Sequence, residues 1–365
     1  MLQHIRQRIE SSLSAPEREA VDLDRFLCLD VSRGLVDGAC CLFFDPRGSG
    51  PTLVAKAARS VERKAVYRLD YDNLRKLEEA GLNAARETTP RPMGIGEEGG
   101  VLVTLQSALP GRLMRNLPAS GLFSPERAAE TIDRVFSWLH GFQQAFGVRR
   151  LTLDEEDYET EVLALVRRFL GRYRVGREQE DLLRRRFERE RRLLGMDLPL
   201  TVGHGDFCVA NLVLQDRGIG AFDWEHPLVH RLPLYDLFFF FSSTRFPFGG
   251  LRRESDYSGS MAEVYWGTSY LNAALGERIG EACRTLSIPR EAVADLFLMA
   301  LLLRADRKYE VFTSAGGVAD LPKDRLWAEL REWERDAPLY QVRHGELESL
   351  RTVTQSGLPS CVELS

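Results

Sequence analysis

An aspartate, an asparagine and a second aspartate lie close together in one short stretch of this sequence. Asp206 follows a His-Gly pair, Asn211 comes five residues later, and Asp223 lies twelve residues beyond it. Magnesium-assisted phosphoryl transfer needs one carboxylate to accept a hydroxyl proton, and an amide and a second carboxylate to hold the metal on the phosphates. The spacing therefore indicates this chemistry, although aspartates also commonly cap turns.

The two later residues of this set are predicted to lie on a short β-hairpin. Its strands would run over 211–216 and 219–223, with Arg217-Gly218 as the two-residue turn and the glycine supplying a positive φ. In that register Leu212 lies opposite Asp223. The amide and the second carboxylate would then meet at the open end of the hairpin, beside the loop that leads into it.

The pattern H-G-D-x-x-x-x-N followed by D-W-E resembles the aminoglycoside phosphotransferase and choline kinase superfamily. The resemblance implies an α+β, protein-kinase-like two-lobed fold, with a small antiparallel β N-lobe and a larger, mainly helical C-lobe. It also implies Asp206 as the catalytic base and Asn211 and Asp223 as ligands of Mg²⁺. Glu225 would reach a second metal, and His204 would brace the loop backbone.

The composition is that of an ordinary globular enzyme. The 365 residues are 44% hydrophobic and 28% charged, and the net charge of −5 gives no reason to expect nucleic acid or an anionic membrane as a partner. Six cysteines without C-x-x-C spacing predict reduced thiols in the cytoplasm. Residues 1–16 lack the apolar centre of a signal peptide, and the apolar runs at 237–241 and 296–303 are too short to span a bilayer.

The first hundred residues predict a small β-rich lobe, with strands over 26–31, 39–44 and 52–57. Lys56 lies in the third strand, and the run Val-Ala-Lys resembles the strand lysine of kinases, which contacts the α- and β-phosphates of the nucleotide. Taken alone, the lysine could equally lie on the solvent face of the strand. The downstream motif favours the phosphate contact.

A helix is predicted over 66–80, and the resemblance implies that one of its acidic residues pairs with Lys56. Alignment on Leu74 and Leu77 puts Asp70 at that position, where the family has a glutamate that is one methylene longer. Other acidic residues could serve instead, or all could be solvated charges of the helix surface. The alternatives are Asp72, Glu78 and Glu62.

Two connecting segments are candidates for further nucleotide contacts. The loop over 32–38 lies where kinases cover the phosphates, but it is not G-x-G-x-x-G; its amides and Arg33 could cradle phosphate, or it could be a plain hairpin connection. After a strand at 101–105 the chain resembles the hinge between kinase lobes, unless it is a simple linker. The resemblance implies that the nucleotide base is bound by main-chain groups of Ser107, Ala108 and Leu109.

The remainder is predicted to be mostly helical, with lobes at 1–106 and 107–345 and a C-terminal tail at 346–365. Acidic residues over 154–161 and basic residues over 184–192 suit the helix dipole, or the acidic end could hold a cationic substrate. Asp236 would cap a helix or brace the catalytic loop. Helices are predicted near 124–146, 152–194 with a break at 171–176, 261–275, 290–310 and 326–334.

These features together predict a small-molecule kinase that uses Mg²⁺ and transfers the γ-phosphate of ATP or GTP to a hydroxyl. Acceptors of the aminoglycoside, amino alcohol or sugar type all remain open. The alternative is a catalytically silent nucleotide-binding protein on the same fold. A protein kinase is disfavoured because H-R-D, D-F-G and A-P-E do not occur at the required places. A metal-dependent hydrolase would leave Lys56 and the hinge without a role.

Overall fold

The computed structural model describes residues 2–12, 27–30, 38–44, 50–82, 88–120, 125–173, 175–244, 264–314, 352–353 and 359. The chain divides into two compact units. Unit 1 comprises Met1–Leu122, Glu130–Phe146 and Gly203–Val229, and unit 2 comprises Phe123–Ala129, Gly147–Val202 and His230–Ser365. Every residue predicted above to bind nucleotide or metal, or to act as the base, lies in unit 1.

Strands and helices follow one another along the chain as an α+β arrangement. The strands are β1 (Leu27–Asp30), β2 (Gly38–Phe44), β3 (Pro51–Ala58), β4 (Pro92–Glu98), β5 (Val101–Ser107), β6 (Arg112–Leu113), β7 (Arg149–Thr152), β8 (Asp197–Val202), β9 (Leu212–Gln215), β10 (Gly218–Ala221) and β11 (His230–Arg231). The α-helices are α1 (Leu2–Ser12), α2 (Val61–Glu79), α3 (Pro125–Ala145), α4 (Glu155–Asp157), α5 (Ala164–Arg172), α6 (Arg177–Leu183), α7 (Tyr235–Ser243), α8 (Tyr270–Leu286) and α9 (Val293–Ser314).

Unit 1 contains a five-stranded antiparallel sheet in the order β1-β2-β3-β5-β4. The three strands predicted for the first lobe are present. Strand β4 was not predicted, because proline and glycine are unusual inside strands. Phe26 and Val31, at the ends of the first predicted strand, and most of the candidate phosphate loop, 32–37, lie outside the described residues.

Helices α1 and α2 supply buried side chains on the sheet of unit 1. Ile5 and Ile9 of α1 join the apolar core formed by β2, β3 and β5, and Tyr67 of α2 packs with Ala58 and Leu102. Helix α2 begins earlier than predicted because the Ser60 hydroxyl caps it, accepting the Arg63 N–H at 3.3 Å.

Strands β9 and β10 form the predicted hairpin, but the predicted register is wrong by two residues. Leu212 lies opposite Ala221 and not opposite Asp223, so Asp216-Arg217 forms the turn. Gly218 begins β10 without a positive φ, because a turn one residue earlier does not need its conformational freedom. A shift of two residues keeps every side chain on its predicted face, since strand side chains alternate with period two.

Unit 2 combines the three-stranded sheet β11-β8-β7 with helices. The break predicted near 171–176 is present between α5 and α6, and the helix predicted over 290–310 is α9. The helix predicted over 261–275 is interrupted: residues 264–266 are helical, and α8 begins at Tyr270 after Ser269 in an extended conformation. The residues 124, 261–263 and 326–334, and nearly all of the tail, lie outside the described chain.

Among the described residues, no helix has the length and apolar character that crossing a membrane would require. The run over 237–241 lies in α7 and the run over 296–303 in α9, and their residues are almost all buried. These apolar runs therefore serve the core of unit 2.

Candidate active site

Lys56 is the centre of a buried ion-pair cluster in unit 1. It lies in the middle of β3, with β2 and β5 on either side, and its side chain is only 8% exposed. Its ammonium lies 2.9 Å from Asp70 Oδ2, 2.8 Å from Asp223 Oδ1 and 3.5 Å from Glu225 Oε1. This burial rules out the interpretation of Lys56 as a solvent-exposed strand lysine.

Three carboxylates lie near the Lys56 ammonium, and Arg63 Nη1 also lies 3.9 Å from Glu225 Oε2, so the carboxylates outnumber these two cations. Burial would lower the pKa of Lys56, but Asp223, Asp70 and Glu225 raise it well above its ordinary value. Burial opposes the ionisation of Asp223, yet Lys56 holds its pKa below the usual range. Burial raises the pKa of Asp70, and Lys56 offsets this only in part. Burial and the charge of Asp223 raise the pKa of Glu225 to about 7.

Asp223 holds an uncommon backbone conformation. Its φ is 70°, in the left-handed region that residues with a Cβ rarely occupy, although aspartate tolerates it better than most. Such a conformation costs roughly 1 kcal/mol or more and persists only where the surroundings fix it. The Asp223 side chain is 35% exposed, so its carboxylate can be reached from solvent.

Helix α2 holds the backbone after Asp223. Asp70 Oδ1 accepts the Trp224 N–H at 2.7 Å, while Asn73 Nδ2 donates to Trp224 O and His226 O, both at 2.8 Å. Asn73 was not singled out from the sequence. The signal was available, because a polar residue one helical turn after Asp70 falls on the apolar face next to Leu74.

Asp206, Asn211 and His204 brace the candidate catalytic loop. Asn211 Nδ2 donates to Asp206 Oδ2 at 2.7 Å and to Asp206 O at 3.0 Å. His204 Nδ1 accepts the Asp206 N–H at 3.3 Å, so the ring proton is on Nε2, which donates to Phe222 O at 3.0 Å. The Phe222 N–H donates to Asn211 O at 3.1 Å, which joins this loop to the chain just before Asp223.

Aromatic side chains support both segments from the side of α3. The buried Trp224 ring lies 4.3 Å from the His204 ring, centroid to centroid, and 5.3 Å from that of Phe142. Trp138 stacks on Phe207 at 5.5 Å. Trp224 of D-W-E and Phe207, the residue after Asp206, therefore anchor the segment around Asp223 and the loop around Asp206 in the core of unit 1.

The candidate hinge residues Ser107, Ala108 and Leu109 directly follow the main part of β5. The Ser107 N–H donates to Arg91 O at 2.9 Å and the Ala108 N–H to Thr52 O at 3.0 Å. These two amides are therefore already bonded within unit 1. A contact between the Leu109 N–H and a nucleotide base stays a prediction.

The remaining acidic residues that the sequence offered as candidates lie outside the cluster around Lys56. Within unit 2, Glu155 forms an ion pair with Arg191 and Glu159 forms one with Arg167, so part of the acidic stretch over 154–161 is neutralised internally. Asp236 is 3% exposed in the first turn of α7. Asp72, Glu78 and Glu62 are exposed, and it is Asp70 that contacts Lys56.

The donor set suits Mg²⁺, which prefers oxygen ligands and is commonly bound by one or two carboxylates together with substrate phosphates. Asp223 and Glu225 supply two carboxylates whose mutual repulsion a divalent cation would relieve, and Asn211 adds an amide oxygen. The described residues contain no group of three or more His, Cys, Asp or Glu side chains that is already arranged to hold a metal ion. A site completed by nucleotide phosphates is consistent with that finding.

A model of the phosphotransferase enzyme family, abbreviated APH, matches residues 44–257, which is more than half of the chain. The chain belongs to this family. The match confirms the resemblance read from the H-G-D-x-x-x-x-N and D-W-E residues, and with it the α+β fold class. The family is one of phosphotransferase enzymes, which is the enzyme class predicted from the sequence.

Several solved structures are similar to this phosphotransferase at low identity. Aminoglycoside phosphotransferase APH(3'')-Id from Streptomyces rimosus is 17% identical with a TM-score of 0.45, over 81% of this chain and 97% of that one. A type VIII aminoglycoside-3'-phosphotransferase is 19% identical with a TM-score of 0.44, over 80% and 97%. A glucosamine kinase in complex with glucosamine, ADP and inorganic phosphate is 14% identical with a TM-score of 0.46, over 90% and 81%. No curated protein matches the chain.

Proposed function

We propose that this phosphotransferase is a small-molecule kinase that moves the γ-phosphate of ATP or GTP to a hydroxyl of a small acceptor. The observation that carries the proposal is the buried cluster in which Lys56 meets Asp70, Asp223 and Glu225. A divalent cation would neutralise the excess negative charge around this buried lysine, and the ammonium could then contact nucleotide phosphates. The family match supports the reaction class.

The nucleotide would be bound by residues of unit 1. Lys56 would contact the α- and β-phosphates, and Asp70 would hold its ammonium in place. Leu109 would donate its N–H to the base, beside Ser107 and Ala108. Asn211 and Asp223 would hold Mg²⁺, and Glu225 would hold a second ion. Bound Mg²⁺ would neutralise the charge that develops on the transferred phosphoryl group.

Asp206 would act as the catalytic base. The bond from Asn211 holds the Asp206 carboxylate in one orientation, and the bond from the Asp206 N–H to His204 fixes the backbone on which it stands. A fixed carboxylate can orient the acceptor hydroxyl and take its proton as the phosphoryl group is transferred. His204 is then a support for the loop and has no part in proton transfer.

The acceptor would be a small molecule of the aminoglycoside, amino alcohol or sugar type, without nucleic acid or membrane as a partner. Lobe boundaries at 1–106, 107–345 and 346–365 also stay a prediction. Part of the acidic stretch over 154–161 is paired with arginines, so the described contacts do not single out a cationic acceptor.

The test is acceptor-dependent release of ADP or GDP across a panel of these hydroxyl compounds, with magnesium and either ATP or GTP. Asp206→Asn keeps the size of the side chain and removes the base, so turnover should fall by about 10²- to 10⁴-fold. Asp216→Asn makes the same change on the exposed hairpin turn and serves as the control. Nucleotide binding without turnover on any acceptor would instead favour the catalytically silent protein.

A further inference from the structure

Helix α2 holds both main-chain polar groups of Trp224, the N–H and the C=O, with two side chains one helical turn apart. Asp70 takes the N–H of Trp224, and Asn73 donates to its C=O and to that of His226. Asp70 is 1% exposed and Asn73 is not exposed at all. Water therefore competes little for the two bonds to Trp224, and these bonds constrain the backbone.

The Asn73 amide fits in one orientation. Its Nδ2 faces two carbonyl oxygens, and turning the amide over would place Oδ1 against both of them. In the described residues Oδ1 has no hydrogen-bond partner, although it is buried. A buried acceptor without a partner costs free energy, so a residue that only filled space here would be better apolar. The two donated bonds are what distinguishes asparagine at this position.

These bonds act on the candidate metal ligands. Trp224 lies between Asp223, whose φ is 70°, and Glu225, and the second bond fixes the residue after Glu225. A left-handed aspartate relaxes unless its neighbours are held. We propose that Asn73 is a positioning residue for the metal ligands of this phosphotransferase, locking residues 224–226 to α2; the proposal rests on the proposed function.

The consequence is a coupling through one helix. Asp70 contacts the ammonium of Lys56 with one carboxylate oxygen and the N–H of Trp224 with the other. Asn73, on the same helix, donates a hydrogen bond to the C=O of His226. A displacement of α2 would therefore disturb the lysine and the metal ligands together. Loss of Asn73 alone should disturb the metal ligands while Asp70 keeps Lys56 in place.

The test compares Asn73→Ala with Asn272→Ala in the full chain. Asn272 in α8 is a matched control, because its Nδ2 also donates to two carbonyl oxygens, Val264 O at 3.0 Å and Tyr265 O at 2.8 Å, but in unit 2. Calorimetry would give the affinity for ADP with and without Mn²⁺. Amide hydrogen exchange of a peptide covering 222–227 would report on the backbone directly.

Asn73→Ala should reduce the gain in ADP affinity that Mn²⁺ provides by about 10- to 100-fold, the usual effect of removing a support of a metal ligand. Its metal-free ADP affinity should stay within about twofold of wild type, and exchange over 222–227 should be faster. Asn272→Ala should change none of these. An equal loss of affinity with and without Mn²⁺, an unchanged gain, or unchanged exchange would overturn the proposal.

Failure of the proposed function gives a different result. Wild-type protein whose ADP affinity does not respond to Mn²⁺ would refute the metal site, while the exchange of 222–227 would still show whether Asn73 holds the backbone. If Asn73→Ala does not fold, Asn73→Ser serves the same comparison, because serine fills part of the space but is too short to bond both carbonyls.

Discussion

Two backbone segments carry the candidate chemistry, and they are held in place in different ways. The loop from His204 to Asn211 is braced largely by its own side chains, because Asn211 and His204 both bond to Asp206. The segment 223–226 is held by α2, through side chains that precede it by 151 to 154 residues.

The difference separates the proposed proton acceptor, Asp206, from the proposed metal ligands Asp223 and Glu225, whereas Asn211 belongs to the braced loop and would also hold the metal. A locally braced loop keeps its geometry as long as its own residues are intact. A segment held by a remote helix keeps its geometry only while that helix stays in position. Loop changes that spare Asn211 should therefore affect turnover, whereas loss of the α2 side chains that hold residues 224–226 should weaken the metal-dependent part of nucleotide binding.

Breaking the local brace should have the largest effect. Asn211→Ala removes both bonds to Asp206 and an amide oxygen of the metal site, so kcat should fall by at least about 10²-fold. Steady-state kinetics with the acceptor identified from the panel would measure it. Metal-free ADP affinity should be unchanged. The control is Asn116→Ala, at an exposed position of the 3-10 helix Met114–Ser120 in unit 1; an equal loss of kcat in this control would contradict the assignment.

Removing the Lys56 ammonium should destabilise the fold in addition to weakening nucleotide binding. Lys56→Met leaves buried Asp70 facing Asp223 without the ammonium between them, which should cost about 3 kcal/mol in the free energy of unfolding. Urea denaturation would measure the loss. Lys64→Met, which removes an ion pair with the more exposed Glu97, is the control and should cost far less. Equal losses in the two variants would show that the cluster around Lys56 contributes no more to the free energy of unfolding than an exposed ion pair does.

The local half of the site could be predicted from the sequence. Asp206 and Asn211 are five residues apart, and a short loop can bring such residues together whatever the rest of the chain does. The register error at Leu212 did no harm there, because a shift of two residues keeps the faces of a strand. The family match then confirmed the fold class that the motif implied.

The remote half could be predicted only in part. Asp70 was found because an alignment on two leucines fixed its place, with three other acids left open. Asn73 was missed, because one sequence does not show that a helix meets a strand end more than a hundred residues later. The left-handed conformation of Asp223 was likewise not predicted, and the positive φ predicted for Gly218 is absent. Such features depend on packing between distant segments, which periodicity does not report.

Lengthening the side chain that holds both partners should sharpen the comparison further. Asp70→Glu keeps the charge but adds a methylene at a site that is 1% exposed, which should cost about 1–3 kcal/mol of strain and shift either Lys56 or Trp224. Metal-dependent ADP affinity should fall by about tenfold, corresponding to about 1.4 kcal/mol. Asp72→Glu, exposed on the same helix, should leave the affinity unchanged. A variant that binds ADP as wild type does would show that the shorter acid is not required.

The smallest effect should appear in the metal-free protein as a dependence of stability on pH. Burial and Asp223 raise the pKa of Glu225 from 4.5 to about 7, so the folded state favours the protonated form. The stability from this group is complete below pH 4.5 and is lost as the pH rises through 7. Glutamine does not ionise, so Glu225→Gln cannot lose this stability. The difference in melting temperature between the variant and wild type should therefore rise by about 3 °C in favour of the variant from pH 5 to pH 8.

The same measurement in excess Mg²⁺ should remove this gain, because a bound cation stabilises the ionised carboxylate that glutamine lacks. Glu79→Gln, at the exposed end of α2, should follow wild type at every pH. A Glu225→Gln curve parallel to wild type without metal would mean that Glu225 does not share the charge cluster around Lys56. In that case Asp70 and Asn73 of α2 would order the backbone of residues 224–226 but would not hold two mutually repelling carboxylates close together.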